Sequence, residues 1–129
     1  MWQWVGRAEC FIETTDGHIE DFAELSPCAW RIAGAIFLDR FGVNAEGPAP
    51  DIHFRSEQEW TENGENVRGT MDYYSSPPIE VSSAVSAWRT FHIIVHEFLH
   101  YLIRERLDEA EWRGGDDWVD SEVWCSGCP

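Results

Sequence analysis

Two histidines four residues apart flank a glutamate in His96-Glu97-Phe98-Leu99-His100. On a helix, positions i and i+4 lie roughly one turn apart on the same face. Two imidazoles so placed can hold one metal ion, and the glutamate between them can reach a water on that ion. The chemistry that suits this spacing is hydrolysis. The cation polarises a carbonyl and acidifies water, and the carboxylate moves the proton. A five-residue motif also arises by chance, so its flanks have to supply the helix.

They do. No Pro or Gly interrupts residues 84–110, and apolar residues recur at Ala84, Val85, Trp88, Phe91, Val95, Leu99 and Ile103. A second apolar line runs Ile94, Phe98, Leu102. The spacing predicts a helix apolar over most of its circumference, and hence buried, with Ser82-Ser83 as its cap. Histidines and a glutamate inside such a helix need partners; a metal is one, and hydrogen bonds within a plain core helix are the other. His92 extends the histidine row by one turn. Three successive turns cover about 12 Å, whereas bonds to zinc are about 2 Å long, so His92 is expected to be a core or supporting residue.

A catalytic zinc keeps three protein ligands and one open position. No histidine follows His100, which points to an acidic third ligand downstream or a ligand upstream. Arg113-Gly114-Gly115 reads as a turn, and residues 118–125 as a short helix capped by Asp116 or Asp117. If Asp117 caps, Asp120 takes the third helical position, a usual place for a capping carboxylate. Trp118, Val119, Glu122 and Cys125 then share a face. Glu122 is the carboxylate on that apolar stripe and the favoured ligand, with Asp120 and Asp117 as alternatives.

The motif resembles that of the zincin metallopeptidases. Glu122, on a helix after the motif helix, is similar to the third ligand of the gluzincin branch, and by length the chain is similar to the minimal single-domain gluzincins (minigluzincins). The longer metzincin pattern does not apply, because Arg106 stands where its third histidine would be. The resemblance covers mainly residues 67–125. It implies an α+β, zincin-like fold: one domain over residues 1–129, with a small mixed sheet on a buried H-E-x-x-H helix, a preceding helix and a short C-terminal glutamate helix. It further implies one Zn2+ held by His96, His100 and Glu122, with Glu97 as general base for hydrolysis of a peptide or protein substrate. Tyr73, Tyr74, Tyr101 and the arginines are the available oxyanion partners. Residues 67–74 would be the edge strand that lines the cleft and pairs with an extended peptide. The competing readings are a zinc-holding or regulatory protein without general peptidase work and a hydrolase of another amide. The intact Glu97 weighs against a purely structural site, which needs no base.

The remaining sequence sets the surroundings. The 129 residues carry a net charge of −15, with 24 acidic side chains against nine basic ones, all arginine. Such a surface repels phosphates and excludes nucleic acid as an expected partner. No apolar run is long enough to span a bilayer, and Met1 to Arg7 shows no secretory h-region. The chain is therefore expected to be soluble and cytoplasmic, without a membrane partner. Cys10, Cys28, Cys125 and Cys128 are expected to form disulfides or stay as thiols rather than build a second zinc site. Alternation predicts a strand over 2–14, an Asp16-Gly17 turn and a returning strand over 19–22. Ser26-Pro27 and Gly42 bound a helix over 27–41. Strands are expected at 51–55, 67–74 and 79–81, with an exposed loop over 56–65. His18 and His53 read as surface residues.

Overall fold

A computed structural model describes residues 24–123. In chain order these form α1 (Leu25–Phe41), β1 (Ile52–Arg55), β2 (Trp60–Glu62), β3 (Glu65–Val67), β4 (Gly69–Met71), β5 (Ile79–Ser82), α2 (Ala87–Arg106) and α3 (Glu109–Glu122). The expected strands over 2–14 and 19–22, His18, Cys10, Cys125 and Cys128 lie outside the described residues. Cys28 is disulfide-bonded. The described part is α+β, and none of its helices is long and apolar enough to cross a membrane.

Helix α2 is the element that touches every layer. Its twofold apolar pattern buries twelve of its twenty residues. One side packs on α1, another on α3, and a third on β4 and β5. Phe91, Ile94, Phe98, Leu99, Leu102 and Ile103 are fully buried, each such side chain contributing about 1.5–3 kcal/mol of transfer free energy. The helix starts three residues later than Ser83. Ser86 is its N-cap and accepts from the Arg89 N–H at 3.2 Å. Ser82 instead braces the entry: its carbonyl accepts from the Thr90 hydroxyl at 3.1 Å, and its hydroxyl donates to Glu57 O at 2.7 Å. At the other end Arg104 and Arg106 oppose the negative pole of the helix. Arg106 also donates to the carbonyls of Asn44 and Glu46, at 2.9 and 2.7 Å, which holds the loop after α1 against α2.

Helix α1 begins two residues before the expected Pro27 and ends as expected at Gly42. That glycine takes a left-handed φ of 70° and donates its N–H to Leu38 O. The three-stranded sheet has the order β1-β5-β4, with β1 parallel and β4 antiparallel to β5. Ile79 and Val81 face α2 and are fully buried. The expected strand over 67–74 is shorter and divided: β3 ends at Val67, β4 ends at Met71, and residues 73–74 form a turn. The expected loop over 56–65 instead holds β2 and the turn of the hairpin β2–β3, which ends at Val67. Its turn residues Asn63 and Gly64 both have positive φ, 51° and 82°, as a two-residue hairpin of the Asn-Gly kind requires.

The largest departure lies after α2. Residues 109–122 form one continuous helix that runs through Gly114 and Gly115. Only Leu107 and Asp108 separate α2 from α3. Gly115 is fully within the helix because it is the contact point with α2. A Cβ there would sit 3.1–3.2 Å from three side-chain atoms of the buried Ile103. The missing side chain lets the two helices approach closely, which outweighs the roughly 1 kcal/mol that glycine costs a helix.

Candidate metal centre

The close approach of α3 to α2 brings two spacings of four into register. His96 and His100 lie on α2, and Asp116 and Asp120 lie on α3. His100 Nε2 is 3.1 Å from His96 Nε2 and 3.0 Å from Asp120 Oδ1, and His96 Nε2 is 3.3 Å from the same oxygen. These three atoms form the one His/Cys/Asp/Glu cluster of metal-holding geometry among the described residues. Tetrahedral zinc with bonds near 2.0–2.1 Å sets its ligand atoms about 3.3 Å apart, which is close to the observed triangle.

The other ring nitrogens fix the tautomers. His96 Nδ1–H donates to the Val123 carbonyl at 2.7 Å, and His100 Nδ1–H donates to Asp116 Oδ1 at 2.7 Å. With both Nδ1 atoms protonated, the neutral rings turn Nε2 lone pairs toward Asp120. Three acceptors converging this closely repel one another unless a cation or a proton lies between them. The donor set therefore fits a divalent ion, and the Nδ1 partners are the outer hydrogen bonds that orient metal-binding histidines.

Glu97 lies between the two histidines on α2 and is 1 % exposed. Its Oε2 has no hydrogen-bond partner among the described residues. Gly69 of β4 backs it closely, since a Cβ at that position would lie 3.2 Å from Glu97 Oε2 and would clash with Ile93. Burial pushes the Glu97 carboxyl up, against the lowering influence of the two histidines. A carboxylate so placed has a raised affinity for a proton, as a base working near neutral pH needs. Glu97, His100, Asp116, Asp120, Met71 and Arg104 line a cleft of about 240 Å³.

Arg104 is the one arginine of that lining among the described residues. Its Nη2 lies 3.4 Å from Asp116 Oδ2, and its guanidinium sits 4.6 Å from the Trp112 ring centroid. Of the other groups considered for an oxyanion, Tyr74 is 85 % exposed. The Tyr101 hydroxyl donates to Glu105 at 2.9 Å; burial and that hydrogen bond push it up to about 12. Neither tyrosine lines the cleft.

Among the expected ligands, His96 and His100 meet in the cluster and Glu122 does not. Glu122 and Asp117 are exposed, and Asp120 takes the third position. The physical reason is the true start of α3. A helix begun at residue 118 centres its apolar face on Trp118, Val119 and Glu122. The full helix buries Gly115, Val119 and Val123, with Trp112 half-buried. Measured from Val119, the middle of that stripe, at 100° per residue, Asp120 and Glu122 fall on opposite flanks, Asp120 about 100° to one side and Glu122 about 60° to the other. The Asp120 flank faces the histidines. Trp118 turns the other way, edge-on to Phe41 at 5.5 Å. Asp116, considered only as a cap, instead orients His100. Its signal was present in the sequence as an i, i+4 acid pair matching the i, i+4 histidine pair. The Val123 carbonyl carried no such signal. His92 stands apart, half-buried beside Trp88 with ring centroids 5.7 Å apart, and His53 is exposed on β1.

In the absence of a metal, a proton on His100 Nε2 can bridge to Asp120. Burial alone would lower the His100 pKa, but the hydrogen bonds to Asp116 and Asp120 and the nearby Glu97 raise it to about 9 from an ordinary 6.5. Partial burial opposes ionisation of Asp120, yet the hydrogen bonds from His100 and His96 hold its carboxyl well below the usual carboxylate range. A group with a raised folded pKa stabilises fully below its unfolded value and loses that contribution as pH rises through the folded value. The metal-free protein should thus lose thermal stability between pH 6.5 and about 9, measured as the melting temperature after chelation. A flat profile across that window would remove the proton from the cluster.

Compared with models of protein families, with curated proteins and with solved structures, the chain matches none.

Proposed function

We propose that this chain is a zinc-dependent peptidase of zincin-like architecture, with His96, His100 and Asp120 holding the ion and Glu97 as general base. The observation that carries this reading is the buried Glu97 carboxylate, with one oxygen unpartnered beside three converging acceptor atoms. Leaving a buried acceptor unsatisfied costs about 1–3 kcal/mol. A site that only stiffened the fold would gain nothing from that cost. The packing of edge strand β4 over the motif helix supports the zincin likeness. The gluzincin branch rested on Glu122, and the proposal keeps only the broader likeness.

When bound, zinc supplies Lewis acidity toward a carbonyl oxygen and lowers the pKa of water. The protein residues supply the rest. Asp116 and the Val123 carbonyl hold the two imidazoles in the tautomer that presents Nε2. Glu97 takes a proton from the attacking water and returns it to the leaving amine. Arg104, directed into the cleft beside Asp116, is the cation placed to meet negative charge developing on the substrate oxygen. Gly69 leaves the Glu97 side chain no room to swing toward β4.

Elemental analysis and a panel of quenched fluorescent peptides test the reading together. One zinc per chain is expected, with hydrolysis lost on chelation and restored by zinc. A chain that takes up no zinc when it is supplied, or one that still cuts peptides after its zinc is removed, overturns it.

A further inference from the structure

A second concavity adjoins the metal cleft. It has a volume of about 680 Å³, and its lining includes Glu62, Glu65, Thr70, Met71, Asp72 and Glu80. Met71, the last residue of β4, lines both this groove and the metal cleft. Met71 thus joins the groove, which reaches the β2–β3 hairpin, to the cleft lined by Glu97, whose buried Oε2 is unpartnered among the described residues. That buried oxygen marks the cleft as a place where a ligand is handled, and the groove continues from it at Met71.

The charge in the groove is of one sign. Among the described residues four carboxylates line it, and no arginine does. Glu62 and Glu65 stand directly opposite each other in the hairpin register, a like-charge pairing that destabilises a two-stranded ribbon. Neither has an ion-pair partner among the described residues. Asp72 accepts from the Tyr74 N–H and the Ser75 hydroxyl, and Glu80 lies 3.5 Å from Arg55 Nη1. Arg55 is thus shared between Glu57 and Glu80 and acts on Glu62 only as a more distant charge, so neither hairpin carboxylate has a directly paired cation among the described residues.

Strand direction decides how a ligand would enter. Among the described residues β4 is an edge strand of the three-stranded sheet. A segment added to such an edge gains main-chain hydrogen bonds and sends alternate side chains to opposite faces of the sheet. Thr70 and Glu80 are register partners on the face away from α2, and both line the groove. A side chain on that face, a residue or two from the metal cleft, enters among the carboxylates.

We propose that this groove takes a lysine or arginine side chain of the substrate, so that the enzyme cuts peptides beside basic residues. The proposal rests on the peptidase reading above and names the substrate class of that same site.

The test has an activity arm and a binding arm. In the first, the zinc-loaded chain is given quenched octapeptides that differ only in carrying Arg, Gln or Glu at each position in turn. At one position, kcat/KM for Arg should exceed that for Gln by about tenfold, the factor that 1.4 kcal/mol produces, with Glu slower still. In the Glu62→Gln/Glu65→Gln variant, which loses a repulsion and so keeps its hairpin, the Arg-to-Gln ratio should fall to about threefold or less. Salt should erode the Arg preference of the parent. Peptides cut at equal rates whatever the substitution would overturn the groove while leaving the peptidase intact. If no peptide is cut, the peptidase reading falls, and the binding arm judges the groove alone. There a fluorescein-labelled Arg octapeptide and its Gln counterpart are titrated into zinc-loaded Glu97→Gln protein. Equal affinity for the two overturns the groove; tighter binding of the Arg peptide, lost on neutralising Glu62 and Glu65, supports it.

Discussion

Replacing Glu97 by glutamine is expected to abolish peptide hydrolysis while zinc stays bound. The substitution preserves length and volume, so the packing of the side chain against Gly69 is kept. What is lost is the carboxylate's ability to take a proton, which burial has strengthened. A positioned general base is worth about 10²–10⁴-fold in rate, and no second carboxylate stands ready to replace it. Asp116 is engaged by His100 and Arg104, and Asp120 by both histidines. The comparison to make is kcat/KM on one peptide together with zinc per chain, for parent and variant. A rate within tenfold of the parent would take Glu97 out of the chemistry. Loss of zinc along with activity would make its role structural.

The second large effect concerns the third metal-holding residue. Asp120→Ala should weaken zinc binding by more than about 100-fold, since even residues that only orient a ligand are worth 10–100-fold. Glu122→Ala should leave affinity within about threefold, because that side chain points to solvent on the other flank of α3. Asp116→Asn belongs between these limits: it keeps an acceptor for His100 Nδ1–H but loses the charge that supports it. Competition with a chromogenic chelator gives all three affinities. If Glu122→Ala loses zinc and Asp120→Ala retains it, the ion does not sit in the triangle described here.

These contrasts also mark how far the sequence could be read. The motif helix was legible because a period of 3.6 persists over twenty residues, with two apolar lines and no breaker. Helix α1 was legible between Pro27 and Gly42 for the same reason, and β1 and β5 through short apolar alternation. The hairpin β2–β3 was missed although Asn63-Gly64 carries its turn signal. Three-residue strands rich in Glu and Asn offer no periodicity to set against a polar loop. Gly114-Gly115 misled most. Local propensity reads paired glycines as a break, whereas Gly115 is demanded by Ile103, a residue of another helix that no local window contains. That one reading moved the start of α3 and recentred its apolar stripe on Glu122, whereas the carboxylate that meets the two histidines is that of Asp120. The histidine pair needed no tertiary knowledge, because both residues sit on one helix. The carboxylate needed the phase of a second helix against the first.

Every donor atom of the cluster comes from α2 and α3, two neighbours joined through Leu107 and Asp108. An ion bound there would work as a local cross-link, comparable to a short disulfide loop rather than to a clasp between distant parts of the chain. Any opening that parts α3 from α2 would break the site and cost the binding free energy of the ion. The ion would therefore act on partial opening, in which α3 lifts away while α1, the sheet and α2 stay assembled. Occupancy of the site would set how often its own wall swings open. The rest of the core, anchored by Phe37, Phe91 and Phe98, would stay packed through that opening whether or not the ion is there.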